Sequence, residues 1–169
     1  MEQSEFLEKR PSNMEEGRHL ILRLTYVSRH NAENSNIEVT RILSQSRRNN
    51  ERDGITGALV INDEYFLQSI EGSRPVINAL FRKLVNDKRH HALQVIECSE
   101  VEERLWSKWS MKHLAPSEQD REYVRKFSAG TVFDPYIMST SQILRFIETL
   151  SDLQERRDKD GVKTKSLGF

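Results

Sequence analysis

Four side chains with hydrogen-bonding ends fall where apolar rows should continue, and together they could orient a planar, heteroatom-rich ligand. Gln68 shares a strand face with Phe66 and Ile70 under a two-residue period. A buried amide without partners costs about 1–3 kcal/mol, so something must meet its donors and its acceptor. Tyr26 closes a row of Leu20, Leu22 and Leu24 and brings a phenol to the same inner layer. Asn49 and Asn50 extend the inward helical stripe of Val39, Ile42, Leu43 and Ser46, adding two more amides. Taken singly, each has a plainer structural reading: a Gln bonded to a neighbouring strand, or an Asn pair closing a helix C-terminus. Jointly they describe a buried polar pocket, without naming its occupant.

The elements that must position these groups follow from periodicity. HLILRLTYV reads as a first strand, and Ser28 to Ser35 as a turn-like stretch leading to a helix from near Asn36. ITGALVI and EYFLQSIEG form a hairpin about Asn62-Asp63, a pair that tolerates the positive φ angles of tight turns. Ser73 is placed to cap a second helix, with Pro75 in its first turn and a stripe of Val76, Ile77, Leu80, Phe81 and Leu84. ALQVIECSE is a fourth strand, and after the irregular VEERLWSKW a fifth lies around SMKHL. The order β-α-β-β-α-β predicts an α+β, ferredoxin-like sheet of about five strands with two helices on one face. Two C-terminal helices should cap the other face. Ser117 begins the first, with Asp120 three residues on; Ser139 begins the second with Gln142 as its capping-box partner. Ile143, Phe146, Ile147, Leu150 and Leu153 then form its apolar stripe.

Residues 1–17 and 155–169 are polar and read as a flexible extension and a flexible tail, flanking a domain over 18–114 and a helical cap over 115–154. The balance of 26 basic and 26 acidic side chains argues against a general nucleic-acid or membrane-surface binder. One cysteine, Cys98, excludes an internal disulfide framework. No apolar run approaches the roughly 18 residues of a membrane span. With no segment of signal-peptide type, a cytoplasmic protein is expected.

The runs LTYVS, RRNNERDGITGALVINDEYFLQSIEG, DKRHH and WSKWSMK, across about residues 19–114, resemble the BLUF family, blue-light sensors that use FAD. The resemblance implies FAD as cofactor, with FMN or riboflavin as variants, and no enzymatic turnover. It implies that Tyr26 is the photoactive tyrosine, donating an electron and a proton to the excited flavin, and that Gln68 lies between it and the flavin ring. Asn50 corresponds to the asparagine that bonds the isoalloxazine, Asn49 to its ligand-facing neighbour, and Lys83 to a basic position near the ribityl or phosphate portion. Trp109 and Met111 correspond to a signal-relay pair on the last strand. YVRKFSAGTVFDPYIMSTSQILRFIETL resembles the helical cap of short, PixD-like members, which implies a homo-oligomer and a downstream protein partner. No catalytic output module is expected after residue 114.

Other readings compete. Ferredoxin-like sheets also serve RNA binding, but the aromatic, glycine-rich pattern of that use is missing here. An acylphosphatase-like hydrolase would need a phosphate cradle, for which SRHNAENSN is a faint candidate. A protein-interaction module would bind no chromophore. Trp109 and Met111 could simply pack under the cap. Adjacent His90 and His91 point to opposite faces of a strand, so no metal is expected, and DKRHH reads as a solvated helix end.

Overall fold

The β-branched and aliphatic alternation after Leu20 forms β1 (Ile21–His30), an inner strand of the sheet. The structure is a computed structural model and describes residues 20–31, 36–62, 64–116, 120–127 and 133–161. α1 (Asn36–Asp53) leads into β2 (Thr56–Ile61) and β3 (Tyr65–Ser73). α2 (Arg74–Val85) and β4 (His90–Val101) follow. The sheet order is β4-β1-β3-β2, with β5 (Lys112–Leu114) added parallel at the β2 edge and every other pairing antiparallel. This is the expected ferredoxin-like α+β fold.

Successive residues of a strand face opposite ways, so the sheet has two distinct faces. Leu22, Leu24, Leu59, Phe66 and Ile70 meet Leu43 of α1 and Ile77 of α2 on one. Val27, Ala58, Val60 and Leu67 meet the C-terminal cap on the other. The cap comprises α3 (Arg121–Arg125), a 3-10 turn at Pro135–Ile137 and α4 (Thr140–Lys159). Ile143, Phe146, Ile147 and Leu150 of α4 are buried against the sheet. The capping box is complete: the Ser139 hydroxyl accepts from the Gln142 N–H, and the Gln142 side chain accepts from the Ser139 N–H.

Several boundaries differ from the sequence reading. β1 continues through Ser28 to His30, because Arg29 and His30 still pair with His91 and His90 of β4. Ser73 ends β3 and stands at the N-cap of α2, but its side chain makes no capping hydrogen bond. In α2 only Ile77 is fully buried; Val76, Leu80, Phe81 and Leu84 are half-buried because that helix borders an open cleft. α4 runs to Lys159, past residue 154, its last turn carried by basic residues that favour the helix C-terminus. At the hairpin, Asn62 Oδ1 accepts from the N–H groups of Glu64 and Tyr65. Asp63, Ser117 and the segments 1–17 and 162–169 lie outside the described residues.

Candidate functional site

Register decides the site. Tyr26 of β1 is directly opposite Gln68 of β3, both on the face that carries α1 and α2. Tyr26 is 3% and Gln68 7% exposed, and the Tyr26 hydroxyl donates to Gln68 Oε1. The other end of the amide is also used: Gln68 Nε2 donates to Met111 Sδ at 3.4 Å. One carboxamide thus bridges a phenol and a thioether, the donor-acceptor order of both contacts fixed by its orientation.

Beside this pair lies a narrow cleft, open to solvent. Ile42 of α1, Phe66 of β3 and Leu84 at the end of α2 give it apolar walls, with Tyr26, Gln68 and His90 as polar groups. An apolar wall with a few polar groups set into it is the make-up of small-molecule sites. Burial pushes the Tyr26 phenol well above its usual range, with the Asp87 carboxylate adding to this and Arg89 opposing it. The phenol therefore keeps its proton at any ordinary pH. Arg89 clamps Asp87, whose carboxyl is held below its usual range chiefly by that bond, and reaches Gln45 Oε1 of α1 at 3.2 Å. The DKRHH segment is accordingly part of the cleft rather than a solvated helix end: Asp87, Arg89 and His90 all line it.

His90 Nε2 lies 2.8 Å from the Leu84 carbonyl, which can only accept, so that nitrogen carries the hydrogen. Nδ1 is then a bare acceptor, and it is buried without a partner. Burial also pushes the imidazole below its usual pKa, which keeps it neutral. A buried acceptor in the wall of an apolar-sided cleft fits a planar ring bearing an N–H donor, and a flavin is such a ring. His91, by contrast, is exposed, and no cluster able to hold a metal exists among the described residues.

The other predicted residues divide. Asn50 is buried, but its Nδ2 donates to the Ser110 carbonyl at 2.7 Å, next to Met111. Asn49 is exposed: one residue is about 100° around a helix, so the stripe that buries Asn50 turns its neighbour to solvent. Lys83 is exposed on α2; the Asp53 carboxyl at the end of α1 is lowered chiefly by its hydrogen bond from Arg52, with the Lys83 charge adding least. Trp109 and Met111 precede β5 instead of lying on it, and they part company. Met111 is buried against Gln68, whereas Trp109 is half-buried under the Lys112 ammonium, 4.0 Å from the ring centre.

Two residues that the sequence reading missed hold this segment in place. Glu71, fully buried, accepts from Arg23 Nε at 2.9 Å, the Leu105 N–H at 2.9 Å and the Trp106 N–H at 3.1 Å. The Trp106 indole is buried in the cap-side core and donates to Ser69 Oγ at 3.3 Å. The legible signal was a carboxylate in the row of Leu67 and Ser69, opposite an arginine on the next strand.

Residues 21–112 match the family model described as BLUF, sensors of blue light using FAD. The chain belongs to the BLUF family. It is 26% identical over 102 residues to the photoactivated adenylate cyclase subunit beta of Euglena gracilis, a match spanning 60% of this chain and 12% of that protein. It is 26% identical over 96 residues to the blue light- and temperature-regulated antirepressor BluF of Escherichia coli (strain K12), spanning 56% of this chain and 24% of that one. Among solved structures, the dark state of the BLUF protein BlrB is 27% identical with a TM-score of 0.64, covering 78% of this chain and 97% of that one. The BlsA ground state is 26% identical with a TM-score of 0.70, covering 78% and 87%. As a BLUF domain, the chain is of a flavin-binding, blue-light-sensing kind. No helix among the described residues is long and apolar enough to cross a membrane.

Proposed function

We propose that this BLUF domain is a blue-light receptor that uses FAD as its chromophore and whose photochemical pair is Tyr26 and Gln68. The observation that carries this is the unbroken contact from the Tyr26 hydroxyl through the Gln68 amide to Met111 Sδ, at the wall of a cleft with a bare acceptor in it. Bound flavin supplies the chromophore and an electron acceptor. Asn50, His90 and Gln68 would hold the ring, and Lys83, exposed on α2, would meet the ribityl or phosphate portion; Asn49, exposed, stands outside this set. The choice of FAD over FMN follows the family's description.

Tyr26 contributes a neutral phenol, which has both an electron and a proton to give. Desolvation of the site favours the neutral form. Gln68 contributes asymmetry. As it stands, its carbonyl faces the phenol and its amino group faces sulfur. Rotation would set a carbonyl oxygen against Met111 Sδ in place of an N–H and the contact would be lost; tautomerisation would move a proton from nitrogen to oxygen, leaving the nitrogen that faces sulfur with a single N–H and a lone pair and weakening the same contact. A change of this kind is worth on the order of 1 kcal/mol for a neutral bond, enough to bias a balanced equilibrium and too little to force a lopsided one. Met111 and Trp109 would pass that bias to the C-terminal helices and so to a protein partner or a homo-oligomer, without turnover of a substrate by this domain.

The test is the absorption spectrum of the purified protein in darkness and after blue light. Bound flavin with a shift that reverses in the dark is the expected result. A protein that takes up no flavin, or whose spectrum is unmoved by light, contradicts the reading.

A further inference from the structure

Met111 and Lys112 are consecutive, and their side chains leave the chain on opposite faces of the sheet. Met111 points into the flavin-side layer, where Sδ accepts from Gln68 Nε2. Lys112 points into the cap, with only 5% of its side chain exposed. Long charged side chains are almost never so buried unless their charge is paired. All three N–H groups of this ammonium are spoken for by one helix: Ser151 Oγ at 2.7 Å, the Ser151 carbonyl at 3.2 Å and Glu155 Oε1 at 2.8 Å, all on α4. Its remaining contact is the face of the Trp109 ring, 4.0 Å away. The Glu155 carboxyl is held below its usual range chiefly by the bond from Lys112.

The backbone around this residue is pinned as well. Arg47 Nε of α1 donates to the Met111 carbonyl at 3.0 Å, and Gly57 N–H donates to the Trp109 carbonyl at 3.1 Å. Gln154 Nε2 donates to the His113 carbonyl at 2.9 Å, and its Oε1 accepts from the Ala115 N–H. One short stretch therefore reads the Gln68 amide on one side and grips a whole turn of α4 on the other, through a single peptide unit.

We propose that Lys112 is the positioning residue through which a change at Gln68 reaches α4. This rests on the reading of Tyr26 and Gln68 as the photochemical pair. When Met111 loses the Gln68 N–H, the peptide joining it to Lys112 shifts. The ammonium must then give up either its ring contact with Trp109 or its bonds to Ser151 and Glu155. With all three N–H groups bonded to α4 and a π face on its other side, the buried ammonium has its contacts set for one position of its own backbone. A lysine that merely stabilised the cap would bond α4 equally in darkness and light; this one is placed so that its bonds to α4 depend on Met111.

The experiment is amide hydrogen exchange of the flavin-loaded full chain in darkness and under continuous blue light, read on the α4 segment 148–156. In the wild type the exchange rates differ between the two conditions. In Lys112→Met, which keeps the stem and removes the charge, the light-to-dark ratio of those rates falls to about one while the absorption shift remains. A Lys112→Met ratio equal to the wild-type ratio, even with α4 exchanging faster in both conditions, shows a structural role alone and overturns the proposal. So does a wild-type chain whose spectrum shifts with no change in α4. Should Lys112→Met fail to fold, Ser151→Ala combined with Glu155→Met removes both of its side-chain partners on the helix and leaves only the Ser151 carbonyl. In that double variant a light-to-dark ratio of about one supports the proposal, and an unchanged ratio overturns it. A wild-type chain with bound flavin and no spectral shift overturns the reading of Tyr26 and Gln68, and this inference with it.

Discussion

Replacing Glu71 by Gln tests the account of how the Trp106–Met111 segment is held. The carboxylate is fully buried and serves Arg23, the N–H groups of Leu105 and Trp106, and the Thr56 hydroxyl. The variant keeps the shape, but it removes the charge opposite Arg23, whose side chain is only 13% exposed. It also puts a donor where an acceptor is needed. Breaking one partner of a buried pair costs about 3–5 kcal/mol, and an orphaned backbone N–H adds about 1–3 kcal/mol. Because Arg23 retains some solvent, about 3 kcal/mol is the reasonable expectation, a large part of the roughly 5–15 kcal/mol of a typical domain. With a urea slope of about 1–3 kcal/mol per molar, the unfolding midpoint should fall by about 1–3 M. Arg23→Met in the same background should recover part of the loss, since the uncompensated cation goes with it. A midpoint within about 0.3 M of wild type, or no coupling between the two sites, would refute the reasoning.

Further outcomes follow from the same geometry. Gly57→Ala would place a Cβ 2.6 Å from the Ser69 carbonyl oxygen, backbone that cannot yield, and is expected to cost about 1–3 kcal/mol in thermal or urea unfolding. The Tyr26 phenol ionises later in the folded chain than in the unfolded one, so its contribution to stability is complete below the usual tyrosine pKa near 10 and is lost as pH rises above it. Urea midpoints measured from pH 9 to 11 should fall less steeply in Tyr26→Phe. The His90 imidazole has the opposite sign: its folded pKa is depressed, so stability is present above the unfolded value near 6.5 and is lost as pH falls through and below it. His90→Gln should flatten the stability profile between pH 7 and 5.

Period-two reading found Tyr26 and Gln68 because the hairpin and central strands are regular: one residue per pleat places both on the same face, and the register sets them opposite each other. α4 caps as expected for the same local reason, at Ser139 and Gln142, whereas Ser73 makes no capping bond. Legibility ended where long-range geometry took over. Asn49 and Asn50 look alike in a stripe, and only the helical angle, fixed by how α1 seats on the sheet, separates the exposed one from the buried one. Asp87 and Arg89 read as solvated charges, yet they pair with one another over the cleft and raise no composition signal for it. Glu71 and Trp106 meet only because the segment after β4 folds back across the sheet, a contact between residues 35 apart that periodicity does not see. Lys112 likewise looks like an ordinary strand lysine until α4 is in place.

The most direct test compares wild type with Tyr26→Phe, each loaded with FAD, under blue light. The substitution deletes one hydroxyl beside the cleft and leaves its apolar walls intact. Flavin retained at wild-type occupancy, with the reversible light-induced spectral shift abolished, is the outcome predicted here. An undiminished shift in Tyr26→Phe would contradict it.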